Sequence, residues 1–368
     1  MKPTKRSAAV ITTIAATAAG LLAASGLLAT SANASTAFIG PLHQTKVVAS
    51  TIPANGDVNP YGVAVVPRST GHLYRDDVLV SNFNDKANVQ GTGTTIVQVS
   101  PAGKATLFAQ IKDPACPGGV GLTTALVALR SGWVIVGSLP TKNGVIDGPG
   151  CLIVLDQRGN VRSTITGHGI DGPWDMTALD RGGTTELFVT NVLGGILGKH
   201  NPDGGTVQRL LITSAPYRTP RVLASTTIGA GFPARTDPNA LVIGPTGVGL
   251  GRNGTLYVAD TLSNRIAAIA NAVYRNSDDG KGSTVAKGGA LNGELGLAIA
   301  PNGDILTVNG GDGNMVETTP SGMQVATKTV DKNAGGAGNL FGLAVKPGAG
   351  AVYFVDDFST QNNLQLFF

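Results

Sequence analysis

One short segment recurs six times along this chain of 368 residues, and nothing else restricts the fold so tightly. Its clearest copy spans residues 245–269, PTGVGLGRNGTLYVADTLSNRIAAI. Residues 247–250 alternate small and apolar side chains, as suits an inner strand packed against close neighbours. Arg252-Asn253-Gly254 is a hairpin turn, because Asn and Gly tolerate positive φ. Residues 255–259 form a second strand rich in side chains that fit a pleated sheet, 260–264 a polar connection, and 265–270 a third strand. Three strands in roughly 25 residues, with no helical period, predict an antiparallel meander.

The segments YGVAVVP, TALVALRSG, WDMTALDRGG, LGLAIAPNG and FGLAVKPG repeat the opening. Aligned on Gly62, Ala125, Asp175, Gly247, Gly296 and Gly342, the copies stand 63, 50, 72, 49 and 46 residues apart. A propeller blade takes about 40 to 50 residues, so six copies predict an all-β, six-bladed β-propeller of four-stranded antiparallel blades. Third and fourth strands are expected to pair across the turns at 100–103, 156–159, 201–204 and 319–322. The last unit ends in a third strand, 362–368, with no fourth, and the apolar strand 44–51 has no blade of its own. Their pairing would close the ring and remove an exposed edge.

This topology places the loops on two faces, and the end at which the inner strands begin is called the top. Long stretches at 82–93, 138–150 and 213–244 are expected there, the last, with Tyr217, Arg218, Arg221 and Arg235, either an insertion folding over the mouth or a solvated one with no ligand. Residues 273–282 fall on the opposite face. Cys116 precedes the inner strand of blade 2 and Cys151 begins its third strand, so both reach the top and a disulfide is expected.

The match to Pro245, Gly247, Gly254, Tyr257 to Asp260, Asn264, Arg265 and Ile266 resembles the NHL repeat, which runs Pro-x-Gly, strand, turn Gly, Tyr-Val-Ala-Asp and Asn-x-Arg. More distantly the chain is similar to the senescence-marker/gluconolactonase propellers. That resemblance implies a divalent ion held by Glu, Asn and Asp ligands, and hydrolysis of lactones or phosphoesters.

The first 34 residues are set apart. Lys2, Lys5 and Arg6 precede a long Ala/Leu/Thr-rich run, and Ala32-Asn33-Ala34 suits signal peptidase, so residues 1–34 are read as a signal peptide and 35–368 as one exported domain. An uncleaved membrane anchor is the alternative. The whole chain has 27 Lys and Arg against 23 Asp and Glu; the leader holds three of the basic residues and no acidic one, leaving 24 against 23. So even a balance argues against nucleic acid or an anionic membrane as the main partner. A monomer meeting an extracellular protein, peptide, glycan or small molecule is expected.

Just after the second strand, five repeats place Asn82, Asn191, Asp260, Asn309 and Asp356, where a short side chain bonds the turn backbone. Two departures from the repeat suggest chemistry. Where other blades have Gly, blade 3 has Asp175, and Glu294 stands two residues before Gly296. Carboxylates there can converge on one hard cation, a Ca²⁺-type site with Asn59, Asn292 or Asn339; hydrogen-bonded pore carboxylates are the alternative. The run HGIDGPWD brings His168 and Asp171 beside the pore, a possible base and its partner, or a plain surface turn. Tyr61, Trp174 and Phe341 precede or open inner strands and either stack on a ligand with Arg218 and Arg221 or plug the ring. No Gly-x-Ser-x-Gly, phosphate loop or His-x-x-x-His occurs. The leading expectation is a secreted recognition module using its top face and central pocket; the alternatives are a divalent-metal-dependent hydrolase of the lactonase type and a purely structural wall or matrix component.

Overall fold

The computed structural model describes residues 36–112, 115–142, 145–192, 203–237, 241–333, 338–358 and 361–368; the leader lies outside them. Six antiparallel sheets follow one another along the chain as six blades, and a short 3₁₀ turn stands at Thr261–Ser263. Blade 4, built from the clearest repeat, has its inner strand at Pro245–Leu250, then Leu256–Asp260, Arg265–Ile269 and Ser283–Lys287. Blades 1, 3 and 5 have inner strands Val58–Val65, Pro173–Asp180 and Glu294–Ile299. In blade 2 the inner strand is short, Leu126–Ala128. Blade 6 takes three strands from the C-terminus and its fourth from the N-terminal side: Thr45–Ser50 runs antiparallel to Asn363–Phe367, with Thr45 opposite Phe367 and Ser50 opposite Asn363. Ring closure by the chain's two ends leaves blade 6 with the same number of strands as its neighbours.

The inner strands pack so closely that side chains are excluded at set positions. A Cβ on Gly342 would strike the Tyr61 carbonyl, one on Gly296 the Phe341 carbonyl, and one on Gly247 the Leu297 amide. Hydroxyls staple the same strands together. Ser81 Oγ accepts from Gly62 N (3.0 Å) and donates to Thr123 O, and Thr190 Oγ1 accepts from Asp175 N (3.1 Å) and donates to Thr246 O at 2.7 Å. Apolar side chains fill the wedge between successive blades, such as Leu79 and Ile96 against Leu126 and Val134, or Val80 and Val97 against Tyr353 and Val355. Cys116 and Cys151 are bonded, with Cα atoms 5.7 Å apart, and sit in the wedge between blades 1 and 2.

Residues 36–43 dock where the ring closes. Glu317 accepts the Phe38 and Ile39 amides, one on each carboxylate oxygen at 2.7 Å, and Ile39 and Leu42 enter the wedge between blades 5 and 6.

One stretch departs from expectation. The third strand of blade 3 is Gly205–Thr213, so the turn expected at 201–204, partly outside the described residues, stands before that strand instead of after it. The third-to-fourth hairpin is residues 214–221, and Val222–Phe232 is an ordinary fourth strand. Tyr217, Arg218 and Arg221 therefore lie at the bottom, not over the mouth. Of residues 213–244 only the small hairpin of Arg235–Asp237 and Leu241–Ile243 belongs to the top, where Val242 joins the axial cluster. The fourth strand was hidden because VLASTTIGAGF is small and polar, without the apolar alternation of its neighbours.

Candidate functional site: the central channel

The six inner strands enclose a channel of about 360 Å³, walled by Val63, Leu126, Val248, Leu297 and Leu343 and their neighbours. Its top is shut by aromatic rings. Tyr61 packs edge-on against Trp174 (centroids 5.7 Å apart) and Phe83 (6.0 Å), and tilted against Phe341 at 5.2 Å. Trp174 Nε1 donates to the Tyr61 hydroxyl at 2.7 Å. Leu122, Leu139, Val192 and Val242 complete the cap. Tyr61 and Trp174 are buried in it and Phe341 is half-buried, so these rings fill the mouth.

Among the described residues, Asp175 is the single ionisable side chain on the channel wall. It occupies the repeat position that is Gly in blades 4 to 6. Its Oδ1 accepts Met176 N at 2.7 Å, and Oδ2 reaches across to accept Val248 N of blade 4 at 3.1 Å. Burial nevertheless dominates, and it pushes the carboxyl up to about 7 against the pull of those two amides. The Tyr61 hydroxyl is pushed up as well, by burial first and then by the charge of Asp175, so it keeps its proton.

Glu294 lies elsewhere. It is fully buried in the seam between blades 4 and 5, where Oε1 accepts Arg265 N at 2.7 Å and Oε2 has no hydrogen-bond partner. Arg265 donates through Nε to Asp260 Oδ2 at 2.8 Å and through Nη2 to Lys281 O at 2.8 Å. Burial raises the Glu294 carboxyl to about 8, opposed by backbone amides and aided by the Asp260 charge. The three asparagines are dispersed too. Asn59 N donates to Asn362 Oδ1 at 2.5 Å, Asn292 Nδ2 to Asp312 Oδ2 at 3.2 Å, and Asn339 Nδ2 to Asp331 Oδ2 at 2.6 Å. Among the described residues no hydrogen bond joins these asparagines with Asp175 or Glu294, and no three His, Cys, Asp or Glu side chains stand together as a metal cluster. A Ca²⁺ ion asks for six to eight oxygens. The expected set does not assemble into such a cage, because Asp175 lines the axis while Glu294 turns away into a seam.

His168 is exposed with a left-handed φ of 54°, and Asp171 is half-buried, its carboxyl raised by burial. No hydrogen bond joins them. The recurrent Asx residues are structural: Asn82 Nδ2 donates to Thr51 O, Asn191 Oδ1 accepts Asp171 N and Gly172 N, and Asn309 Nδ2 donates to Ala290 O. These three hold the segment that leads into their own blade's inner strand, a longer reach than the local turn expected, whereas Asp356 Oδ1 accepts Phe358 N at 2.9 Å in the expected turn.

No family model and no curated protein matches the chain. Solved structures do. A regucalcin from Agrobacterium tumefaciens, described as calcium-binding, has a TM-score of 0.53 at 14% identity over 86% of this chain and 92% of its own. A gluconolactonase from Xanthomonas campestris gives 0.55 at 13% identity, covering 88% of each chain. The fold is shared with both. A PQQ-bound aldose sugar dehydrogenase from Streptomyces coelicolor aligns as well, with a TM-score of 0.55 at 15% identity over 88% of this chain and 98% of its own. Calcium binding, lactone chemistry and sugar oxidation thus occupy one architecture, and at these identities the likeness speaks for the fold alone.

Proposed function

We propose that this chain acts, after export, on a small molecule that enters the central channel, and that its first task is recognition. The observation that carries the reading is the channel itself: about 360 Å³, walls of aliphatic side chains interleaved with exposed strand backbone, and one carboxyl near its closed end. Ligand sites are commonly apolar clefts of this size with a few placed polar groups, and a perturbed carboxyl inside one marks a candidate. With the top capped, the approach is from the bottom.

A second reading, lactone hydrolysis, is favoured by one feature of the same site and by the lactonases that share the fold. A carboxyl at about 7 is half ionised at neutral pH, the best compromise for a general base. In that reading Asp175 takes a proton from a water that attacks the lactone carbonyl. The ring C–O bond then breaks, and the same proton passes to the departing alkoxide to give the hydroxy acid. No cation is routed through the site, since the side chains around the channel do not make its cage.

Titration calorimetry and a pH-stat assay with δ-gluconolactone, on wild type and Asp175→Asn, separate the two. Binding without turnover, weakened in the variant, supports recognition. Turnover that rises through pH 7 and disappears in the variant supports hydrolysis. A wild type that neither binds nor cleaves a panel of sugar lactones and neutral analogues, and an Asp175→Asn protein indistinguishable from it, would sink the channel as the working site.

A further inference from the structure

The hairpin at 214–221 is built like a presented tip. Ser214 N donates to Gly183 O at 2.9 Å, Thr185 Oγ1 to Ser214 Oγ at 2.8 Å, and Trp133 Nε1 to Ala215 O at 3.1 Å, so blades 2 and 3 both hold its base. Its far side is pinned by Thr213 N to Arg221 O and by Arg221 N to Thr213 Oγ1, each 2.9 Å. From this rigid frame Tyr217 stands 83% exposed, in a left-handed φ of 59° that a non-Gly residue adopts at a cost. Arg218 and Arg221 beside it are exposed, and neither guanidinium has an ion-pair partner among the described residues.

Beside the tip lies a groove of about 570 Å³, running from Thr219 to Val222 along the outer strand of blade 2 as far as His168. Hydroxyl residues Ser163, Thr164, Thr166 and Thr219 line it with Arg221 and His168, and among the described residues no carboxylate does. A cleft lined by Arg221 and several hydroxyl residues, with Arg218 and an exposed ring on the adjoining tip, is complementary to a molecule that is anionic, hydroxyl-rich and flat-faced. We propose that this groove binds an acidic saccharide. Arg221 and Arg218 take its carboxylate or other anionic group, Thr166 and Thr219 exchange hydrogen bonds with sugar hydroxyls, and the Tyr217 ring covers a sugar face. The site is separate from the channel, on the rim between blades 2 and 3, and would let the protein dock on an acidic glycan while the channel works independently.

The test is calorimetry of the full mature chain with trigalacturonate, its methyl ester and inorganic phosphate at two salt concentrations. Trigalacturonate should bind and weaken with salt, and the methyl ester should not bind. Arg218→Gln with Arg221→Gln should weaken binding by about tenfold or more, since a hydrogen bond to a charged group is worth roughly that. Tyr217→Ala should weaken it several-fold, and Arg252→Gln, an exposed arginine on blade 4, should change nothing. Melting temperatures of these surface variants confirm that they are folded. The proposal falls if no acidic probe binds, if the arginine variants bind as wild type does, or if Arg252→Gln costs as much as they do. It also falls if phosphate binds as well as trigalacturonate with Tyr217→Ala silent, which would leave an anion site with no sugar recognition.

Discussion

Replacing Glu294 with Gln probes whether a buried acid in a blade seam keeps its proton. The carboxyl is fully buried, with Oε1 accepting Arg265 N and Oε2 facing no donor, while Asp260 Oδ1 nearby is also buried without a partner. Its pKa rises from the ordinary 4.5 to about 8. The folded state therefore retains a proton that the unfolded state releases, so stability from this group is full below pH 4.5 and lost as pH climbs to about 8. At 1.36 kcal/mol per unit, the shift implies a loss of about 4 kcal/mol between pH 5 and pH 8.5. Gln keeps the acceptor for Arg265 N, adds a donor on the unpartnered side, and cannot ionise. Urea unfolding of wild type and Glu294→Gln at both pH values isolates the effect, because every other titrating group cancels in the difference. The variant should gain on the wild type by a few kcal/mol as pH rises. A difference that stays constant within about 1 kcal/mol would show that Glu294 ionises normally and that its seam is wet.

Three further outcomes test the frame around the site. Gly342→Ala should destabilise by about 1 to 3 kcal/mol, since its Cβ meets the Tyr61 carbonyl of the next inner strand, whereas Gly350→Ala, with open space around it, should leave the melting temperature unchanged. Tyr61→Phe should cost about 1 to 3 kcal/mol in chemical denaturation and alter tryptophan fluorescence, because Trp174 Nε1 loses its acceptor in a buried cap. Reducing the Cys116–Cys151 bond, or replacing both with Ser, should lower stability by about 3 to 4 kcal/mol in calorimetry, as expected for a closed loop of 35 residues.

The propeller was legible because its constraints are periodic. Gly62, Gly247, Gly296 and Gly342 recur where inner strands touch, and five of the six second strands are followed by an Asx residue, three of which, Asn82, Asn191 and Asn309, tie down the incoming chain. The closing pair was legible for the same reason: 44–51 lacked a blade and the last blade lacked a strand. What failed was counting where the period weakens. The strand Val222–Phe232 carries Gly, Ser and Thr in place of alternating apolar residues, so residues that form an ordinary outer strand looked like an insertion, and Arg218 and Arg221 were assigned to the wrong face. Glu294 failed differently. Its sequence position beside Gly296 suggested the axis, but a position near an axis does not fix a side-chain direction. The side chain leaves toward blade 4, where Arg265 N donates to it.

That divergence between Asp175 and Glu294 bears directly on function. Both are acids raised by burial to within reach of neutrality, and both interrupt the same repeat position or its neighbourhood. Only Asp175 meets a cavity that a ligand can enter; Glu294 meets protein on every side. A raised pKa alone would rank them equally, so the channel is what distinguishes a candidate for chemistry from a group that shapes the pH dependence of stability. The two substitutions should accordingly part: Asp175→Asn alters what the channel binds or cleaves, while Glu294→Gln alters how the ring withstands alkali and leaves ligand handling at pH 6 unchanged. If Glu294→Gln instead abolished binding in the channel with the fold intact, the seam and the axis would be one site and the separation argued from their contacts would be wrong.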